Sequence, residues 1–296
     1  MSPRAVVTGS SGFVGRALCA RLASVDRVSF ASRDWKARLD NAALDGATVF
    51  HLAARVHAAA DENAFFADNV DKTRALAQAA AREGARRFVF VSSIKVHGEE
   101  SPGRALREDD APAPADAYGR SKLAAEQALR ETARETGLEI VIVRPPLVYG
   151  AGARANLEAL VRLCDTPWPL PFAALHARRS FVHVEDLARL LVDCAEQPEA
   201  AGKTFFAAHV EGVSTFMLVQ LMRRALGRPE RTFSMPPPML EAAAAALGQG
   251  ARARRLTRAL IADPEAARRE LRWSARVPID QAIEEVVRDY RARHPH

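Results

Sequence analysis

The segment Tyr118-Gly119-Arg120-Ser121-Lys122 sets a phenol and an ammonium four residues apart. On a helix these positions share a face, and a neighbouring positive charge draws a tyrosine pKa down from about 10 toward an enzyme's working range. The pair can then serve as general acid and base. Taken alone, the same spacing also describes an exposed pair on a helix surface. Upstream, Ser92-Ser93 follow the apolar run Phe88-Val89-Phe90-Val91, which delivers two hydroxyls to the carboxyl end of a strand, where α/β proteins place their ligands. Earlier still, Ala5-Val6-Val7 runs into Thr8-Gly9-Ser10-Ser11-Gly12-Phe13-Val14-Gly15. Glycines there permit a tight strand-to-helix turn and close approach of backbone to a pyrophosphate, and the helix N-terminus favours negative charge. The competing reading is a plain glycine turn.

The elements that must position these groups follow from hydropathy. Arg4–Thr8, Arg27–Ala31, Thr48–Leu52, Arg87–Val91 and Leu138–Val143 read as short strands. They alternate with helical patterns at Phe13–Ala23, about Val70–Arg82 and Tyr118–Thr136. Alternating strand and helix means an α/β fold, a doubly wound parallel sheet of the Rossmann type. After Gly150 the pattern changes: Pro167, Pro169 and Pro171 interrupt it, a strand and helix follow at Ser180–Cys194, Thr204–Ala208 gives one more strand, and the rest is mostly helical. Residues 1–150 with about 180–210 are expected to form a dinucleotide-binding domain. Residues from about 151 to 179 with 211–296 are expected to form a smaller, mostly helical substrate-binding region.

An acid at the end of the second strand would hydrogen-bond an NAD ribose, but the sequence there is Phe30-Ala31-Ser32-Arg33. A small residue beside a cation accommodates a 2′-phosphate, which favours NADP over NAD. Asp34 is close enough to complicate this reading.

The 296 residues carry a net charge of +6 and are 48% hydrophobic and 26% charged, which excludes disordered and fibrous classes. No apolar run is long enough to span a membrane, and no signal-peptide pattern opens the chain, so a cytoplasmic protein is expected. Cys19, Cys164 and Cys194 lack metal-site spacing and read as buried thiols, with no metal expected. The basic cluster Arg252, Arg254, Arg255 and Arg258 reads first as a solvated helix face. If it binds anything, a diphosphate is the leading candidate, ahead of nucleic acid, which is not expected as a partner.

Taken in order, these segments resemble the extended branch of the short-chain dehydrogenase/reductase family, the nucleotide-sugar epimerases, dehydratases and ketoreductases. The resemblance runs through Gly9, Gly12 and Gly15; His51-Leu52-Ala53-Ala54; Asn69-Val70; Val91-Ser92-Ser93-Ile94-Lys95-Val96-His97-Gly98; Tyr118 and Lys122; Arg144-Pro145-Pro146-Leu147-Val148-Tyr149-Gly150; and Arg179 to Asp186. Within the branch, His51–His57 and Ser92–Gly98 are similar to bacterial surface-polysaccharide enzymes acting at C4 of UDP-hexoses or UDP-4-keto-6-deoxyhexosamines.

The resemblance implies a catalytic set of Ser93, Tyr118 and Lys122: Tyr118 as acid/base at the 4-oxygen, Ser93 bonded to the same oxygen, and Lys122 on the nicotinamide ribose. It implies a cofactor, NADP or NAD, held by Gly9, Ser11, Gly12, Phe13, Val14, Gly15, Ser32, Arg33, Leu52, Ala53, Ala54, Val91, Ser92, Tyr118, Lys122, Pro145 and Val148, with Ser92 near the nicotinamide. A UDP-sugar would meet Ser93, Lys95, Tyr118, Leu147, Asn156, Arg179 and Arg255. Asn156 and Arg179 would hold the diphosphate, unless Asn156 is a helix cap and Arg179 a surface ion pair. Asp186 is expected to cap a helix beginning near Leu187, and His183 to be a hydrogen-bonded structural residue. Three departures stand out: only about sixteen residues separate the second strand from Thr48, Leu147 replaces a common asparagine, and His97 stands where many relatives have tyrosine. Lys95 is either a substrate contact or a surface cation. A homodimer through the helices near Val70–Arg82 and Tyr118–Thr136 is the family expectation. The alternative of another class is a non-catalytic dinucleotide-binding regulator on the same fold.

Overall fold

A computed structural model describes residues 4–23, 25–28, 44–56, 62–153 and 156–294. Strand β1 (Ala5–Thr8) leads through the glycine turn into α1 (Phe13–Arg21) and returns as β2 (Val25–Val28). β3 (Thr48–His51) is followed by α2 (Glu62–Phe66), a π-helical turn (Ala67–Asp71) and α3 (Lys72–Arg82). Then come β4 (Arg87–Val91), a 3₁₀ turn (Ile94–His97), α4 (Ala117–Thr136), β5 (Glu139–Arg144) and β6 (Leu147–Tyr149). The remainder contains α5 (Asn156–Cys164), β7 (Arg178–Arg179), β8 (Phe181–His183), α6 (Val184–Glu196), β9 (Thr204–Phe206) and β10 (Val213–Ser214). It ends with α7 (Thr215–Ala225), α8 (Pro237–Ala246), α9 (Gly250–Thr257), α10 (Glu265–Leu271) and α11 (Ile279–Arg293).

Six strands pair in the order β2-β1-β3-β4-β5-β9, every pair parallel. The strands are apolar on both faces because both are covered. Alternate residues therefore enter different cores. Val7, Val89, Val141 and Val143 pack with Leu187, Leu191 and Trp273 on one side, while Val6, Phe88, Phe90 and Ile142 pack with Leu76, Ala80 and Leu129 on the other. A third cluster gathers Leu157, Val161, Phe172, Val219, Met222, Ile283 and Val287 around α5, α7 and α11.

The expected order of strands and helices is present, with shifted ends. β2 begins two residues before the expected start, and residues 29–43, which would hold the end of the expected strand at Ala31, Ser32 and Arg33, lie outside the described residues. The helical stretch expected at Val70–Arg82 begins at Glu62, its regular repeat interrupted by the π-helical turn. That inserted residue breaks the 3.6 periodicity on which the expectation rested. Cys164 and Cys194 are buried and Cys19 is partly exposed, all three free thiols.

Candidate active site

The glycine turn is fixed by sterics. Gly9 takes φ +71°, and a Cβ there would sit 2.7 Å from the Ala53 backbone nitrogen; at Gly15 it would sit 2.1 Å from the Gly9 carbonyl oxygen. Only glycine lets the β1–α1 turn fold this tightly against the loop after β3. Gly12 occupies the N-cap of α1 without a side-chain cap, and no acidic residue lies in the first turn. The helix thus begins with backbone N–H groups unused by side chains, at the end whose partial charge is positive. Ser11 is exposed, its carbonyl taken by Arg16 Nη1 at 2.7 Å. Phe13 packs against the third cluster, and Val14, Leu52 and Val148 against the first.

A buried polar ladder ties this turn to the next strands. Thr8 Oγ1 lies 2.6 Å from His51 Nδ1, and His51 Nε2 lies 2.8 Å from Thr73 Oγ1. Burial, aided by the nearby Lys122 charge, holds the His51 imidazole down to about 3, so it is a neutral link. In the π-helical turn, Asn69 Oδ1 accepts from Arg55 N at 2.8 Å while its Nδ2 donates to Arg55 O and Ser121 Oγ. Asn69 therefore pins the loop after β3 to helix α4, one turn from Tyr118. Irregular helical turns of this kind recur at functional sites.

Tyr118 opens α4, whose N-cap is Asp116: Oδ1 accepts from Gly119 N at 2.7 Å. The Tyr118 hydroxyl is hydrogen-bonded to Ser93, and Ser93 Oγ also accepts from Lys95 N at 3.2 Å. Lys122 is buried, 2% exposed; Nζ donates to Val91 O at 2.8 Å, stands 4.5 Å over the Phe90 ring and lies 6.0 Å from the centre of the Tyr118 ring.

One expectation is overturned here. Lys122 does not draw the phenol down: burial, with the Asp116 carboxylate adding to it, pushes Tyr118 well above its ordinary value, and only the bond from Ser93 opposes this. The same burial pushes Lys122 down to about 7. Both shifts have one cause, since neither charge is favoured away from water and Lys122 is near neutrality when the protein meets neutral pH.

Ser92 turns the other way. Its hydroxyl donates to Glu126 Oε1 at 2.6 Å, and Glu126 is gripped by Arg144 through Nε at 2.9 Å and Nη2 at 2.6 Å. Glu126 and Arg144 are 0% and 2% exposed. Hydrogen bonds and the guanidinium hold the Glu126 carboxyl below its usual range despite burial. Arg144 Nη1 also reaches His97 Nε2 at 2.8 Å. His97, placed where many relatives carry tyrosine, is thus a core partner of Arg144. Sequence reasoning missed Glu126, although Tyr118, Lys122 and Glu126 repeat at four-residue steps along one helix face.

Ser93 and Tyr118 line a cavity of about 680 Å³ at the carboxyl edge of the sheet, against α5, α7 and α9. Lys95, Leu147, Arg179 and Arg255, all expected at the substrate, lie on its wall, as does Arg252. Val56, Ile94, Pro146 and Leu147 supply apolar surface, with Val56 and Leu147 48% and 38% exposed. Pro145 is not on that wall; its carbonyl accepts from Ile94 N at 3.0 Å. Lys95 is no isolated surface cation: its Nζ sits 2.5 Å from Asp116 Oδ2 and 2.8 Å from Glu99 Oε1. Arg255 Nη2 reaches Glu99 Oε1 at 3.3 Å. Arg179 donates to the carbonyls of Glu99 and Arg258, and among the described residues it forms no surface ion pair. The side chain of Asn156 lies outside the described residues.

Two further residues differ from or match their expected roles. Asp186 does not cap a helix: α6 begins earlier, at Val184, with His183 as its N-cap, and Asp186 accepts from the Arg276 and Val277 backbone N–H groups at 2.9 and 3.0 Å. It fastens the segment after α10. His183 is hydrogen-bonded to Glu285 at 3.2 Å and to Glu185 N. Among the described residues, no group of three or more His, Cys, Asp or Glu side chains could hold a metal, and no helix is long and apolar enough to cross a membrane.

Residues 5–208 match the NAD dependent epimerase/dehydratase family. The chain belongs to this family. It is 35% identical over 263 residues to a UDP-glucose 4-epimerase of Vibrio cholerae, covering 79% of this chain and 78% of that one. It is 28% identical to a UDP-2-acetamido-2,6-beta-L-arabino-hexul-4-ose reductase of Pseudomonas aeruginosa, covering 63% and 48%. A crystal structure of a putative epimerase from Burkholderia cenocepacia superposes with TM-score 0.77 at 27% identity, covering 98% and 99%. Within an NAD-dependent family, the glycine cradle that any Cβ would fill and the uncapped α1 N-terminus fit a dinucleotide.

Proposed function

We propose that this protein is an NAD(P)-dependent nucleotide-sugar oxidoreductase acting at C4 of a UDP-hexose or UDP-4-keto-6-deoxyhexosamine, as a 4-epimerase or a 4-ketoreductase. The observation that carries the reading is the hydrogen-bonded Ser93–Tyr118 pair on the wall of the cavity, with buried Lys122 behind it. The relatives from Vibrio cholerae and Pseudomonas aeruginosa are named for UDP-linked sugars, and both chemistries use one set of groups.

The cofactor, when bound, supplies or accepts the hydride. Gly9, Gly12 and Gly15 with the N-terminus of α1 would hold its pyrophosphate, and Lys122 would face its nicotinamide ribose. Ser32-Arg33 favours NADP over NAD. In the reducing direction, negative charge grows on the sugar 4-oxygen; Tyr118, held protonated by desolvation at the cavity wall, gives that oxygen its proton, and Ser93 donates a hydrogen bond to it. In the oxidising direction the Tyr118 oxygen takes the proton of the sugar hydroxyl, with the hydrogen bond from Ser93 favouring its ionised form. Arg179, Arg252 and Arg255 supply cations for the diphosphate. In this reading residues 1–150 and about 180–210 bind the dinucleotide, and the rest bind the nucleotide sugar. A homodimer packed through α3 and α4 completes the reading, and twice the chain mass in light scattering at micromolar concentration is the expected result.

Incubation with UDP-glucose, UDP-N-acetylglucosamine and a UDP-4-keto-6-deoxyhexosamine, with and without NADPH, tests the reading. Net NADPH consumption marks a reductase; interconversion without consumption marks an epimerase. Turnover by Tyr118→Phe equal to that of the parent would refute the assignment of Tyr118.

A further inference from the structure

Resting on the nucleotide-sugar reading, we propose that Lys95, Glu99 and Asp116 restrict the sugar to an uncharged hexosyl group and exclude hexuronosyl groups bearing a carboxylate. Lys95 lies on the cavity wall with Ser93 and Tyr118: it is two residues beyond Ser93, and its Nζ contacts Asp116, two residues before Tyr118. Two carboxylates already share it, Asp116 at 2.5 Å and Glu99 at 2.8 Å. The three groups together carry one net negative charge, which Arg255, 3.3 Å from Glu99, offsets only on the side where the arginines gather. Glu99 Oε2 is buried with no hydrogen-bond partner among the described residues. Among these no donor offsets its share of the carboxylate charge, which a second carboxylate brought close would meet as repulsion.

The rest of the sugar end repeats the same preference. Val56, Ile94, Pro146 and Leu147 offer no donor to an anion. Arg255 is paired with Glu99, and the remaining described cavity arginines, Arg179 and Arg252, match the two negative charges of a nucleotide-sugar diphosphate, leaving no unpaired positive charge among them for a further anion. A carboxylate near Lys95 would meet two carboxylates within one low-dielectric wall, and repulsion between unpaired like charges is the general means of rejecting a wrong ligand.

Isothermal titration of the full chain with UDP, UDP-glucose and UDP-glucuronic acid tests this. UDP-glucose is expected to bind at least about tenfold more tightly than UDP-glucuronic acid at low ionic strength, with the gap shrinking as salt screens the charges. Glu99→Gln, which removes one negative charge, should narrow the gap; Lys95→Met, which removes the positive one, should widen it. Thermal melting identifies any variant that fails to fold, and the opposite sign of the other then decides. A gap smaller than about tenfold in the parent, or one that moves the same way in both variants, overturns the inference while leaving the nucleotide-sugar reading standing. Absence of UDP binding altogether overturns both.

Discussion

Replacing Lys122 with methionine should abolish turnover and yet stabilise the protein at acidic pH. Lys122 is 2% exposed, and its ammonium has been pushed from an ordinary 10.5 to about 7. At about 1.4 kcal/mol for each tenfold change in proton affinity, the folded state carries a penalty on the order of 5 kcal/mol at pH 6. Between pH 7 and 10.5 the unfolded chain binds the proton and the folded chain does not, so stability rises with pH through that window. The penalty is complete below pH 7 and gone above 10.5. Methionine fills a similar volume but gives up the bond to Val91 O and the contact over Phe90, together worth about 2 kcal/mol. The net gain at pH 6 is then about 3 kcal/mol, a rise of roughly 6–10 °C in melting temperature. By pH 10 the gain should vanish and turn into a small loss. Melting curves of parent and variant at both pH values read the difference directly. A variant that melts below its parent at pH 6, or a difference that stays constant from pH 6 to 10, would show that the lysine is not held against its charge.

Tyr118→Phe should lower kcat by about a thousandfold with little change in UDP affinity, because the hydroxyl acts on the proton and not on the diphosphate; steady-state kinetics beside UDP titration separate the two. Glu126→Gln should cost about 3–5 kcal/mol in urea unfolding, since Arg144 would be left buried without its counter-charge, and Arg144→Met in the same background should recover part of that loss. Gly15→Ala places a methyl 2.1 Å from the Gly9 carbonyl, so it should force the turn open and abolish dinucleotide binding, measured by fluorescence titration of NADH and NADPH. Asp186→Ala should destabilise by about 2–3 kcal/mol by stranding the Arg276 and Val277 N–H groups, seen as a lower urea midpoint without a change in the pH dependence of kcat.

Local sequence settled what depends on local forces. The run Ala5-Val6-Val7 before Gly9-x-x-Gly12-x-x-Gly15 specifies strand, tight turn and helix because only glycine tolerates those backbone positions. The apolar runs at Val49–Phe50, Phe88–Val91 and Ile140–Val143 specify strands covered on both faces, and hence a parallel sheet. The four-residue step from Tyr118 to Lys122 places phenol and ammonium on one side of a helix. None of these patterns states how far a side chain is from water, and that distance decided the chemistry. With Tyr118 half-buried on the cavity wall and Lys122 fully buried behind it, desolvation raised the phenol and lowered the ammonium, the reverse of what charge proximity on an exposed helix would do to the phenol. Only folding brought Asp116, Lys95, Glu99 and Arg255 together from three separate segments, and only folding turned Ser92 toward Glu126 while leaving Ser93 at the cavity. Periodicity encodes direction along one element, whereas dielectric environment and long-range ion pairing exist only once several elements have packed.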